Sequence, residues 1–293
     1  MKTFLLLLSM LIFITSNTFA YDWKYLHERG DKENLSEVLG LAKSDKGSIE
    51  NQYILGLIYL NLYKNLQAEE VFNEILKTDN QMLGAKWGIA EIYRRQHKQD
   101  TARKILDEVL KVDPKFPPAC ISQAYIKYMN MEFEESVKLA LRVIEQGRDK
   151  VDLSNYVRAY TMYAGAKGMI AHYGGLFSKA INGVAVKPNL DRAEKLDPDA
   201  VPVLFGLGSY YFLAPRIAGG DKARAEGYFK KAIEVDPMFV DAYVRLAQLY
   251  KVRGVKEKYN FYMNKAMELD PKNELILDSE GGDCKFICVG GKD

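Results

Sequence analysis

A step of 34 residues recurs along the chain and constrains its fold more strongly than any other sequence feature. Small and apolar residues fall into columns at this step: Gly56, Ala90 and Ala124; Ala68, Ala102 and Ser136; Leu55 and Ile89; Tyr59 and Tyr93; Ile75, Val109 and Val143; Ala232 and Ala266; Phe229 and Met263. Small residues let two antiparallel helices cross closely, and apolar residues fill the gaps between neighbouring hairpins. The repeat therefore predicts an all-α stack of helix hairpins.

Proline follows aspartate where the second helix of a hairpin is expected to end. The pairs are Asp113-Pro114, Asp197-Pro198, Asp236-Pro237 and Asp270-Pro271. The residue before a proline avoids the α region, so each pair stops a helix. The order Leu, Gly or Ala, Tyr, Ala, Phe, Ala and Pro resembles the tetratricopeptide repeat (TPR) over most of the chain. The best copies are 49–82, 83–116 and 240–273; in a weaker copy, 117–150, Lys127 replaces the expected Tyr. The resemblance implies a right-handed superhelical solenoid.

Two stretches depart from the step and predict two irregular insertions. Pro114 and Pro198 are 84 residues apart, one unit of 34 and one of 50. The longer unit, 151–200, contains Gly174-Gly175 and Asn182-Gly183, which are typical of turns, and is predicted to be an irregular extended repeat. The second insertion lies at 214–221. The other predicted units are 21–48, a capping hairpin with a helix near 35–43; 49–150, TPR-like repeats; 201–273, repeats with a Gly-Gly-Asp loop; and 274–293, an irregular tail.

The first twenty residues have the pattern of a secretory signal peptide. Lys2 precedes an apolar run at 4–14, and small residues, Thr18 and Ala20, stand before the expected cleavage site. An uncleaved anchor is the alternative, but the run is short for a membrane span of about 20 residues. No cysteine follows the run, so a lipid anchor lacks its attachment point. We expect a periplasmic or secreted protein with no stable membrane span after cleavage.

The patterns of charge and motifs disfavour several classes of function. The formal net charge is +2 with acids and bases interspersed, so no basic stripe predicts nucleic-acid binding. His27, His97 and His172 lack zinc-site spacing, and no phosphate loop or nucleophile elbow occurs. We therefore predict no catalytic residue, no metal and no cofactor, and a protein that is not an enzyme. The segment 206–208, Gly-Leu-Gly, is interpreted as a small-residue helix contact instead of a dinucleotide site.

Three cysteines are too few for a disulfide scaffold. Cys120 is expected to be a small core residue in the first helix of a hairpin. Cys284 and Cys288 could form a disulfide that pins the tail or remain two free thiols, since a bond one helical turn apart would be strained. The spacing leaves both alternatives open.

The TPR resemblance implies a binding surface on the concave side, lined by the first helix of each hairpin. Carrying the register across gives a set of nine inward-facing residues: Tyr53, Trp87, Glu91, Arg94, Arg95, Tyr125, Tyr128, Phe205 and Phe212. Aromatic rings beside arginine forks suit a partner with an apolar part and a carboxylate. The alternative is that the aromatics belong to the core and the arginines to a solvated edge.

Two classes of function follow. The first is a scaffold or adaptor that binds a protein, a peptide or a small hydrophobic or carboxylate ligand. Within it, the stretch around Gly219-Gly220-Asp221 is similar to one in periplasmic TPR proteins associated with TRAP-type transporters, which implies a solute-binding protein as partner or a small hydrophobic ligand. The second class is an enzyme or assembly factor that uses the insertion at 172–186, with His172 and Asp221 as its candidate residues.

Overall fold

The computed structural model describes residues 21–45, 47–281 and 285–286, and within these ranges the chain is helical and without strands. The helices are α1 (Trp23–Lys32), α2 (Leu35–Ser44), α3 (Ile49–Asn61), α4 (Asn65–Thr78), α5 (Leu83–Arg95), α6 (Gln99–Val112), α7 (Pro117–Met129), α8 (Phe133–Ile144), α9 (Leu153–Tyr173), α10 (Leu176–Leu196), α11 (Val201–Leu213), α12 (Lys222–Val235), α13 (Val240–Val252), α14 (Lys256–Leu269) and α15 (Glu274–Gly281). Each helix packs on its neighbours in the chain, which confirms the predicted solenoid of hairpins.

The ends of the helices follow from local sequence. Asn34, Ser48 and Asp152 cap α2, α3 and α9, because each side chain accepts a hydrogen bond from a backbone N–H in the first turn. The four Asp-Pro pairs follow α6, α10, α12 and α14 directly, as the sequence predicts.

Glycines in the small-residue columns allow an aromatic ring to lie between consecutive hairpins. Phe72 of α4 is fully buried between Gly56 of α3 and Gly88 of α5. A Cβ atom on either glycine would lie 2.4 or 2.3 Å from the Phe72 ring, which is too close for any real contact. Phe229 repeats this arrangement, since a Cβ on Gly208 would lie 2.6 Å from its ring. The predicted role of 206–208 as a close helix contact is therefore confirmed.

Residues with left-handed backbone recur at the same step. Tyr63, His97 and Met131 have φ values of 57°, 60° and 64° in the turns after α3, α5 and α7. Glycine is the usual residue in such turns because it has no Cβ. Here the positions carry large side chains, so each turn projects a functional group from the same corner of its hairpin.

The segment 151–200 is longer than a regular repeat but is not irregular as predicted. It forms two helices of 21 residues each, broken only at Gly174 and Gly175. Asn182 and Gly183 lie inside α10 and face α9, where Asn182 accepts a hydrogen bond from Lys167 at 2.9 Å. A glycine within a helix costs about 1 kcal/mol, which packing against a long neighbouring helix offsets.

Both ends of the described chain fold back on the stack. In the 21–48 hairpin, α2 covers the helix expected near 35–43, and α1 packs on α3 and also reaches α9. There Arg148 binds Glu28 at 2.9 Å, and Ser154 donates to Asp31 at 2.6 Å. The prediction of an irregular tail is wrong at Glu274–Gly281, which forms α15 because Leu275 and Ile276 reach the core.

None of the helices in the described part of the chain is both long enough and apolar enough to cross a bilayer.

Candidate functional site

The N-terminal part of the predicted concave face is covered by α1. Tyr53 is fully buried, and its hydroxyl lies 2.9 Å from Nε2 of His27. The Trp23 ring lies 5.7 Å from Tyr53, and the His27 ring lies 5.4 Å from Trp87, between ring centroids. Burial lowers the pKa of His27, more than the nearby charge of Asp152 raises it, so the ring is neutral near pH 7. Tyr53 and Trp87 are thus core residues between α1 and the first repeats.

Beside these rings, Glu91 and two arginines form an internal ion cluster. Arg94 donates two hydrogen bonds to Glu91, at 2.9 and 2.7 Å, and Arg95 donates a third at 3.1 Å. The hydroxyl of Ser122 donates to Glu91 at 3.1 Å and accepts from the indole of Trp87 at 3.0 Å. Burial raises the pKa of Glu91, but the arginines outweigh that effect and hold it well below its usual range. The chain's own carboxylate therefore occupies the arginine fork that was predicted for a ligand.

Little space remains inside this region. A polar cavity between α1, α3, α5 and α9 has a volume of about 20 Å³, which is room for about one water molecule. A wider cleft of about 280 Å³ opens beside α6 and the end of α7. Its polar side chains are engaged with the protein itself: His97 with Asp270, Gln99 with Glu274, and Arg103 with Asp100.

The other predicted concave residues also contact the chain itself. The guanidinium of Arg94 lies 4.5 Å from the centre of the Tyr125 ring. Tyr128 stacks on Phe286 at 5.6 Å, and Arg245 donates to the Phe286 carbonyl at 2.9 Å, so this end of the tail covers α7. Phe205 and Phe212 pack near Phe229, with ring centroids 6.1 and 6.4 Å away.

The prediction of nine partner-facing side chains is therefore wrong for the four that are buried, because α1 and neighbouring repeats already cover them: Tyr53, Trp87, Glu91 and Phe212. The other five are half-buried, and partner contact stays a prediction for them: Arg94, Arg95, Tyr125, Tyr128 and Phe205. Spacing on a helix shows that residues share a face but not what another part of the chain places against that face.

Comparison with known proteins identifies the architecture. No family model matches the chain, and no curated protein matches it. Among solved structures, a chain of the APC/C hetero-tetramer Cut9-Hcn1 has a TM-score of 0.60 and 12% identity, covering 83% of this chain and 44% of that one. The TPR protein TTC0263 of Thermus thermophilus has a TM-score of 0.54 and 17% identity, covering 65% and 93%. A TPR protein of Parabacteroides merdae has a TM-score of 0.52 and 14% identity, covering 88% and 96%.

The chain has the tetratricopeptide-repeat fold. These likenesses describe architecture and carry no partner with them.

The long TPR hairpin α9–α10 presents the most exposed apolar side chains of a helix in this fold. We call one face of α10 the outer stripe; its apolar members are Leu176, Phe177, Ile181 and Val184, with exposures of 85%, 86%, 67% and 68%. They are exposed because α10 has 21 residues and the following helix α11 has 13, so α11 cannot cover the first half of α10. At about 1.5 Å per residue the difference is about 12 Å.

The two insertion candidates have separate surroundings. His172 is exposed near the end of α9, with its ring 5.0 Å from that of Tyr173. Asp221 caps α12 by accepting from the backbone N–H groups of Ala223 and Arg224 at 2.8 and 3.1 Å. Those backbone hydrogen bonds lower the pKa of Asp221. Asp221 thus has a local structural role, as a helix cap, that its sequence context did not reveal.

The cysteine predictions divide in the same way. Cys120 is fully buried in α7, as expected of a core residue, and burial raises the pKa of its thiol to about 12. Cys284 and Cys288 lie outside the described residues, and their pairing stays a prediction.

Sequence reasoning selected the insertion at 172–186 but missed the outer stripe of α10. A usable signal was present: Phe177, Ile181 and Val184 follow helical spacing, and no acidic residue occurs from 153 to 190. The paired glycines and Asn182-Gly183 hid this signal, because they favoured an irregular loop over a helix.

Proposed function

We propose that this protein is an exported scaffold that binds a protein partner through the outer stripe of α10. The observation that carries the proposal is the exposure of Leu176 and Phe177, each above 80%, on a regular helix. Contiguous exposed apolar side chains mark interaction surfaces, because leaving them in water has a free-energy cost that a partner removes.

The geometry favours a helix as the bound element. Phe177, Ile181 and Val184 are spaced as i, i+4 and i+7, which is the spacing by which one helix packs against another. In a TPR stack, each helix face is covered by the next hairpin. The uncovered half of α10 is therefore shaped to accept one more helix, supplied by a partner.

Export is part of the same proposal and is supported by the pattern of residues 1–20. These residues lie outside the described structure, and periplasmic or secreted localisation depends on cleavage after Ala20. N-terminal sequencing of the protein from its native host would test it, since a mature chain that begins at Tyr21 is expected and an intact Met1 would contradict export by this route.

The narrower roles have less support. The resemblance to TRAP-associated proteins rests on Gly219-Gly220-Asp221, and each of these residues has a local role. Gly219 has φ of 90°, a Cβ on Gly220 would lie 1.9 Å from the Ala214 carbonyl, and Asp221 caps α12. A tight turn requires the motif whatever the partner is. The proposal likewise assigns no catalytic role to His172 or Asp221.

A photo-crosslinking amino acid at position 177 tests the proposal in living cells. We expect a discrete protein adduct that is strongly reduced by Ile181→Asp. The matched control places the crosslinker at Leu66 of α4, which is 77% exposed but lies on another helix. Equal yields of the same adducts from positions 177 and 66 would contradict a specific surface on α10.

A further inference from the structure

The long hairpin has a charge pattern that limits the chemistry of its partner. Residues 153–190 contain four basic side chains and no Asp or Glu, although 39 acidic residues in 293 would place about five in a stretch of this length. The basic residues are Arg158, Lys167, Lys179 and Lys187. Such a surface attracts acidic groups and repels a second copy of itself.

The outer stripe continues beyond its apolar half into a basic half. Pro188, Arg192 and Lys195 follow Val184 at spacings of four, four and three residues, so they lie on the same face of α10. Arg192 and Lys195 are both exposed. From Phe177 to Lys195 the stripe is about 27 Å long, at about 1.5 Å per residue.

These two cations are available to a partner. In the part of the chain that the structure describes, neither Arg192 nor Lys195 forms an ion pair. The adjacent acids are already engaged, since Asp191 binds Lys187 and Glu194 accepts from Tyr228 at 2.9 Å. The outer stripe is therefore apolar at one end and cationic at the other, with no acidic side chain on the same face.

We infer that the partner element is an amphipathic helix with apolar residues at one end and acidic residues at the other, which docks along the outer stripe in a single polarity. This inference rests on the proposed function and deepens it by stating the partner's chemistry. A bilayer fits less well, because the cationic half lies along the side of α10 and not at the tip beside Phe177.

Two synthetic helical peptides of 18 residues test the inference with the full-length protein. Both carry Leu on one face at one end, and the other end of that face carries two Glu in one peptide and two Lys in its twin. We expect the Glu peptide to bind at least about tenfold more tightly, measured by fluorescence anisotropy, because its charges complement Arg192 and Lys195. Equal affinity of the two peptides, or no binding of either, would overturn the inference.

Variants of the protein locate the binding. Phe177→Asp and the double variant Arg192→Glu, Lys195→Glu should each weaken the Glu peptide at least about tenfold, and the double variant should then prefer the Lys peptide. The matched control, Lys104→Glu with Lys111→Glu, reverses two exposed lysines on one face of α6 and should leave affinity unchanged. Circular dichroism checks that each variant is folded.

Two other occupants are distinguished by the same variants. Binding to phosphatidylglycerol vesicles, or concentration-dependent dimers in ultracentrifugation, that is lost in Phe177→Asp would overturn the acidic-helix inference in favour of a membrane or a second copy. A specific protein adduct at position 177 in cells, together with peptides that fail to discriminate, would retain the proposed function and reject only this inference.

Discussion

Nε2 of His97 donates a hydrogen bond to the carboxylate of Asp270 at 2.9 Å, although 173 residues separate them. The hydroxyl of Tyr63 donates to Asp236 at 2.5 Å across the same separation of 173 residues. Tyr63 and His97 are 34 apart, and so are Asp236 and Asp270, so consecutive repeats at one end pair with consecutive repeats at the other. We call these two contacts the clasp.

The clasp explains why the left-handed turn positions carry Tyr and His. Only the turn residue projects from the corner of the hairpin toward the opposite end of the stack. Its backbone has a cost of about 1 kcal/mol for a non-glycine residue, which the hydrogen bond offsets.

Removing both clasp donors should loosen the ring of repeats without unfolding it. For Tyr63→Phe with His97→Phe we expect a loss of about 1–2 kcal/mol in the free energy of unfolding and a larger radius of gyration in X-ray scattering. Tyr93→Phe, which also removes one phenolic hydroxyl, is the control. An unchanged radius together with unchanged stability would show that the clasp does not hold the two ends together.

The close approach at Phe72 predicts opposite effects for two glycine substitutions. Gly88→Ala should destabilise the fold by about 1–3 kcal/mol, because its Cβ would lie 2.3 Å from the Phe72 ring. Gly227→Ala, in the middle of α12 with nothing within 4 Å of its Cβ, should stabilise by about 0.5–1 kcal/mol. Urea unfolding measures both, and a destabilised Gly227→Ala would argue against helical backbone at that position.

The ion cluster at Glu91 should be costly to break. Glu91→Gln leaves Arg94 and Arg95 without their shared carboxylate in a half-buried site, and we expect a loss of about 3 kcal/mol in the free energy of unfolding. Glu135→Gln removes an exposed partner of Lys138 and should change stability by less than about 0.5 kcal/mol. Similar small effects in both variants would mean that the arginines are free to bind an external carboxylate.

His27 should make stability depend on pH in the mildly acidic range. Because burial lowers its pKa below 6.5 in the folded protein, the unfolded chain takes up its proton first as pH falls. Stability should therefore decrease below about pH 6.5, by at most about 1.4 kcal/mol per pH unit for this group. His27→Gln should reduce that slope between pH 7 and 5.5, whereas His172→Gln, at an exposed position, should not. Chemical denaturation at each pH gives the comparison, and an equal slope in both variants would assign the dependence to other groups.

Helix positions were predictable from this sequence where one local signal dominated. The column of Gly56, the Asp-Pro stops and the 34-residue step each depend on neighbouring residues, and each has the predicted structural role. The same local rules gave the wrong result for Asn182-Gly183, where turn propensity was strong but long-range packing against α9 decided the conformation.

The candidate site was less predictable because binding depends on what is left uncovered. Glu91, Arg94 and Arg95 have the i, i+3 and i+4 spacing of an internal ion pair, which was a signal for the alternative interpretation. Nothing local indicated that α1 would cover Tyr53, or that the first half of α10 would extend beyond α11.

The sequence by itself determined the repeating hairpin, since small residues, apolar columns and helix stops act over one or two turns of helix. Only the tertiary structure decided which faces remain exposed, because burial is set by segments far apart in the chain. The clasp joins residues 173 apart, α1 fills the face where a ligand was expected, and the outer stripe of α10 stays open because the next helix is too short to reach it.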